Sequence, residues 1–196
     1  MNQMSPGIKR QFGLRFIGIQ ALFGVLGLGL IFTLKIPSHL VNFSIDGSGI
    51  TKTAIYFFPT GIVAIFFTSP MAMRFEFLRE IFDRIMVGPF GQFIGRGPWW
   101  SFITVSILAG AGEELVFRGV VQNELGLVAA ALIFGFFHFV TWGFFAVATA
   151  MGLYLGNIFL WTHHNLAPPM LIHAGYDLLM LCLIRRTALK DGWAQP

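Results

Sequence analysis

Long uninterrupted apolar runs constrain this chain before anything else. Residues 16–34 and 53–73 each approach the ~20 residues that a helix needs to cross about 30 Å of hydrocarbon. Three further apolar stretches cover 98–122, 143–161 and 169–184, and a shorter one covers 125–139. In lipid, backbone N–H and C=O groups must be satisfied within the segment, so such runs are read as helices. Composition agrees: 56% of the 196 residues are apolar and 11% charged, against roughly 25% charged in soluble domains. Together these values exclude disorder and an ordinary cytosolic enzyme. The single cysteine, Cys182, sits in a leucine-rich run and excludes an intrachain disulfide scaffold.

The expected fold is therefore all-α, a polytopic transmembrane helical bundle of about six spans. Residues 1–97 supply two spans and an amphipathic segment, 98–184 a helical core, and 185–196 a basic tail. The first apolar run is too long for a typical signal-peptide core and reads as a retained span. Between spans, 35–52 carries Pro37, Asp46, Gly47 and Gly49, a loop composition. Pro59 and Gly61 are expected to bend the second span. In 74–96, Arg74, Glu76, Arg79, Glu80, Asp83 and Arg84 alternate with Phe75, Phe77, Leu78, Ile81, Phe82 and Ile85. That pattern fits equally a helix lying in the membrane interface and one whose apolar face covers the protein. Trp99 and Trp100 are placed as interfacial anchors.

Six crossings put both chain ends on one side, and the basic residues sort accordingly. Lys9, Arg10, Arg15, Arg74, Arg79, Arg84, Arg96, Arg185, Arg186 and Lys190 fall on that side, against Lys35 and Lys52 on the other. By the positive-inside rule the side with ten is cytoplasmic. The formal charge of +4 forms no basic groove interleaved with aromatics, so nucleic acid is not an expected partner.

Polar residues inside the apolar helices carry the functional signal. An ionisable group at the centre of a membrane helix costs about 2.5–3.5 kcal/mol on insertion scales, and Glu113, Glu114 and Arg118 occur within six residues. Glu114 and Arg118, four apart, share a helix face as an ion pair; Glu113 points about 100° away with no local basic partner. Phe134 and His138 are again four apart, as are His173 and Asp177. A neutral imidazole facing a buried acid is a plausible acid–base partner. Each pair alone also fits a structural hydrogen bond between helices. Counted along ideal helices, Glu113 and His173 reach one half of the membrane, whereas His138 falls too deep, about 20 Å below residue 125, without tilt or a kink. His163 and His164 read as exposed loop residues, and His39 lies in another loop without an argued role.

Together Glu113, Glu114 and Arg118, Phe134 and His138, and His173 and Asp177 resemble the EExxxR, FxxxH and Hxxx(N/D) motifs of the CAAX-processing and bacteriocin-processing (CPBP or Abi) family of intramembrane glutamic endopeptidases. Gly119 and Gln122, and Asn165, Ala167 and Pro168, also fit that pattern; the resemblance covers about residues 98–184. It implies a CAAX-protease-like core in which Glu113 and His138 activate water, with Glu113 as general base. His173 and Asp177 would stabilise the oxyanion or orient its donors, and Glu114, Arg118 and Phe134 would support the pocket. Aspartate stands at 177 where asparagine is common, which puts a donor role there in question unless it is protonated. The implied chemistry needs no cofactor; a zinc held by Glu113, His138 and His173 is the alternative mechanism. The implied partner is a membrane-associated peptide or protein, prenylated or not, in a prokaryotic inner membrane. A noncatalytic scaffold or immunity protein and a proton-coupled transporter are the rival classes.

Overall fold

A computed structural model describes residues 6–45 and 47–190. Residues 1–5, Asp46 and 191–196, half of the expected tail, lie outside the described residues. The chain is helical throughout: α1 (Pro6–Thr33), α2 (Gly47–Phe67), α3 (Glu76–Val87), α4 (Pro89–Arg96), α5 (Trp99–Val116), α6 (Gln122–Leu125), α7 (Leu127–Phe137), α8 (Trp142–Trp161) and α9 (Ala167–Lys190). A π-helical turn, Phe117–Val121, joins α5 to α6 without a break.

Among the described residues, five helices are long and apolar enough to cross a membrane: Gly13–Thr33, Gly49–Phe67, Trp99–Leu125, Trp142–Trp161 and Ala167–Ala188. The chain is an integral membrane protein. Its fourth apolar segment differs from the expected 125–139. Gly126, at φ +83, breaks the chain between α6 and α7, and α7 then lasts 11 residues, about 16 Å. A turn at residues 138–141 follows, and α7 with this turn runs from the Gly126 end of the bundle to the start of α8. Thr141 closes the connector by accepting, through its hydroxyl, the Phe144 N–H at the start of α8.

The second span also shifts from its expected limits of 53–73. It starts at Gly47, and the hydroxyls of Thr51 and Thr53 donate to the carbonyls of Gly47 and Gly49, so both polar side chains are absorbed by the helix. It ends at Phe67, and a turn follows in which the Ala72 N–H donates to the Ser69 hydroxyl. Pro59 lies inside the helix. At the other end of the chain, α9 continues past residue 184 to Lys190.

Helix register follows from close approaches. Gly24 meets Gly112, Gly27 meets Leu115 and Gly119 meets Ile31, so α1 and α5 run parallel. Phe57 meets Gly175 and Leu179 approaches Gly61, so α2 and α9 do the same. Gly135 against Thr149 and Gly152 against Ala131 make α7 and α8 an antiparallel hairpin. The start of α1 and the end of α9 lie at one end of the bundle, where Gly13 abuts Phe93 and Ala188 packs with Phe93 and Phe102.

The amphipathic segment covers protein. Leu78 and Ile81 of α3 are buried with Ala72 against Phe67 and Phe144, while Phe75 and Phe77 stay exposed. α4 inserts Phe93 and Ile94 into the cluster formed by Phe102, Val105, Leu181 and Ile184. Arg185 fastens the same end: its Nη1 donates to the Gly97 carbonyl at 2.7 Å, and its guanidinium lies 4.6 Å from the Trp99 ring centre.

α5 and α9 approach backbone to backbone, and a Cβ on Gly110 would stand 2.7 Å from both the Ala174 nitrogen and the Met170 oxygen. Gly110→Ala is therefore expected to cost about 1–3 kcal/mol, read as a lowered thermal midpoint in detergent. Single cysteines replacing Lys35 and Arg79, in a Cys182→Ala background, are expected to react with an impermeant thiol reagent from opposite faces of a vesicle. Labelling of both from one face would contradict the six traverses.

Candidate active site

The long helix α5 delivers three charged side chains to the bundle interior. Glu114 and Arg118 are buried to 0% and 1% exposure, with Arg118 Nε 3.0 Å from Glu114 Oε2. The spacing of four residues creates this contact, and burial makes it obligatory, because either charge alone would face a low-dielectric interior. Arg118 Nη2 donates to the Gly152 carbonyl of α8 at 2.9 Å, and its guanidinium lies 5.0 Å from the Phe134 ring centre. One side chain thus touches α5, α7 and α8. The π turn that contains it begins three residues after Glu114, and such turns are frequent at functional sites.

Glu114 looks the other way with its second oxygen. Oε1 accepts from His173 Nδ1 of α9 at 2.7 Å. A carboxylate paired with Arg118 can only accept, so the His173 proton on that side is fixed on Nδ1. His173 Nε2 then faces Glu113 Oε2 at 3.9 Å and Asp177 Oδ2 at 3.6 Å.

His138 is fixed by an equivalent device. It is the residue at which α7 stops, and its Nδ1 lies 2.9 Å from the Phe134 carbonyl. A carbonyl accepts, so Nδ1 is the donor, and the neutral ring turns a bare Nε2 lone pair inward. That atom stands 3.5 Å from Glu113 Oε2. The ring stacks on Phe134 at 4.3 Å between centroids, and Phe134 meets His173 edge-on at 5.9 Å.

Glu113 differs in its partners. Its Oε2, like Glu114 Oε2, is buried without a hydrogen bond to the described residues, but it faces only the imidazole nitrogens of His138 and His173, at 3.5 and 3.9 Å, and no arginine. Two acceptors, this oxygen and His138 Nε2, thus converge with no donor from the described residues between them. Access exists on one flank: the His138 and Asp177 side chains are 31% and 29% exposed, against 7% for Glu113. Among the described residues, no three His, Cys, Asp or Glu side chains form a metal-binding group.

All seven residues singled out in the sequence meet in this cluster. The depth mismatch for His138 disappears because the α5–α6 helix runs on to Leu125 and α7 starts at Leu127. Glu113 then lies twelve residues, about 18 Å, inside its helix, and His138 eleven, about 16 Å, below the start of α7. Gly152 and Gly156 were not legible as site residues, since they act through backbone carbonyls accepting from Arg118 and Gln122. The available signal is the equal spacing of Arg118 to Gln122 and of Gly152 to Gly156. His163 and His164 lie elsewhere: the His163 carbonyl accepts from Asn42, and the His164 ring rests edge-on against Phe159.

A family model described as type II CAAX prenyl endopeptidase Rce1-like matches residues 95–179, the stretch that carries every one of these side chains. Over residues 95–179 the chain is similar to that family. The resemblance read from the three motifs is thereby borne out in the segment that contains them. A curated Bacillus subtilis (strain 168) protein, named Uncharacterized protein YpbD, is 40% identical over 86 residues. That match takes in 42% of this chain and 45% of the relative's length. No solved structure matches. The Rce1-like segment begins at the end of α4 and stops two residues after Asp177 in α9, leaving α1, α2 and α3 outside it.

The unequal pairing of the two glutamates has a measurable consequence. Glu114→Gln leaves the buried Arg118 unpaired and is expected to cost about 3–5 kcal/mol. Glu113→Gln removes a carboxylate without hydrogen bonds at Oε2 and is expected to cost far less. Equilibrium unfolding of the two variants in the same detergent checks the order.

Proposed function

We propose that this Rce1-like protein is an intramembrane endopeptidase that hydrolyses a peptide bond of a membrane-associated peptide or protein. The observation that carries the reading is the buried Glu113 Oε2, without a hydrogen bond, opposite the bare Nε2 of His138 at 3.5 Å. Water held between them gives one hydrogen to each acceptor and turns an oxygen lone pair toward a substrate carbonyl. As the oxygen–carbon bond forms, Glu113 takes the water proton and the carbonyl π electrons move onto oxygen. His173, anchored through Nδ1 to Glu114, together with Asp177 stabilises that oxyanion or orients its donors. When the carbon–nitrogen bond breaks, the proton held by Glu113 passes to the leaving amine, and the acid and base are restored. Glu114, Arg118 and Phe134 position these groups without touching the reacting atoms.

In this reading no cofactor takes part, and no step is routed through a metal. The host membrane is a prokaryotic inner membrane, with the ten-residue basic side and both chain ends in the cytoplasm. The family description names a prenyl endopeptidase, and a prenylated substrate is one form that the membrane-associated peptide can take.

The test compares peptide termini by mass spectrometry in membranes holding wild type or equally abundant Glu113→Gln protein, with and without chelator. Termini that fall about 100-fold or more in the variant and persist with chelator are the expected result. Termini lost with chelator would replace the metal-independent mechanism by a zinc one. Absence of Glu113-dependent termini at full abundance would remove the peptidase reading.

A further inference from the structure

Arg118 and Gln122 reach the same neighbour at the same interval. Arg118 Nη2 donates to the Gly152 carbonyl at 2.9 Å, and Gln122 Nε2 donates to the Gly156 carbonyl at 3.0 Å. A four-residue step on the long helix is matched by a four-residue step on α8, so the two bonds form a ladder with one register. The donors are 1% and 5% exposed. At that burial an unpaired amide or guanidinium is costly, and a slip of α8 by one residue would break both rungs.

The ladder governs more than α8. α7 packs along α8, with Gly135 against Thr149, Gly152 against Ala131 and Gly156 against Leu127. Toward the long helix α7 leans on the π turn, where Phe117 and Phe134 meet at 5.0 Å. His138 ends α7, so its height beside Glu113 is the height of the α7–α8 hairpin. Apolar contacts choose that height weakly, because lipid tails are as apolar as the side chains they would replace. The polar rungs choose it strongly.

We propose that Gln122, with the Gly156 carbonyl as its partner, is a positioning residue that sets the axial depth of His138 against Glu113. Arg118 also neutralises Glu114, whereas Gln122 serves the register alone and so isolates it. A side chain at 156 would crowd two neighbours, since a Cβ there would stand 2.4 Å from Leu127 Cδ1 of α7 and 2.6 Å from Gln122 Oε1. The catalytic consequence rests on the reading of Glu113 and His138 as the water-activating pair; the placement of His138 does not.

The full chain in lipid nanodiscs, labelled with 15N-histidine, provides a readout independent of activity. Gln122→Met removes the donor at nearly constant length, and Gly156→Ala displaces it while keeping every polar group. Both are expected to move the His138 ring-nitrogen resonances and leave those of His163 and His164 in place. Glu113-dependent cleavage is expected to fall about tenfold or more in kcat with KM unchanged. Combining the two substitutions is expected to do no more than the stronger one alone.

Folded Gln122→Met protein with wild-type His138 resonances overturns the proposal, even if its melting temperature is lowered. Gln122→Leu decides in the same way where Gln122→Met yields too little folded protein, since Gly156→Ala also presses on Leu127 of α7. Additive losses in the double variant overturn the shared role of the two residues. A wild type without Glu113-dependent cleavage counts against the peptidase reading, and the resonances still decide the placement of His138.

Discussion

The buried Arg118–Glu114 pair is the contact on which the rest of the interior depends. A guanidinium at the middle of a membrane bundle is tolerated only when its charge is matched by a close partner. Glu114 matches the charge, the Gly152 carbonyl takes one donor and the Phe134 ring lies beneath the plane. Meeting those needs draws α7 and α8 toward α5, while the other Glu114 oxygen draws in α9 through His173. Four helices are thus organised by one ion pair, and Glu113 is left as the acid whose inward oxygen none of them binds.

Much of this was legible in the sequence because it follows from helix spacing. Glu114 with Arg118 and His173 with Asp177 are neighbours four residues apart on their own helices, and the structure has both contacts. Contacts between helices were less legible. That Glu113 faces His138 depends on where α7 begins and ends, and Gly126 sets the beginning through its positive φ, two residues from the assumed start. Gly152 and Gly156 offered no side-chain chemistry to read. The apolar face of α3 had two equally good partners on composition, lipid or protein, and the burial of Leu78 and Ile81 decides between them.

The segment outside the Rce1-like match takes part in building the site. α1 lies along α5, with Gly24 on Gly112 directly before the acidic pair, and Phe23 touches Phe137 beside the end of α7. The loop between α1 and α2 reaches the start of α9: Asn165 donates to the Ser44 carbonyl and accepts the Ala167 N–H. α9 carries His173 and Asp177, so its starting point fixes their depth. Residues without a motif of their own therefore hold the frame in which the motif residues meet.

The connector at 138–141 divides the fourth traverse into two unlike halves. On one side of His138 the backbone is helical and internally bonded; on the other it is open chain, whose polar groups tolerate no contact with acyl tails. Protein or water must therefore line that half of the membrane beside the connector. His138, 31% exposed, stands where the helical backbone gives way to that connector. Bilayer thickness thereby becomes a variable of the site, because it sets which medium meets the connector beside His138.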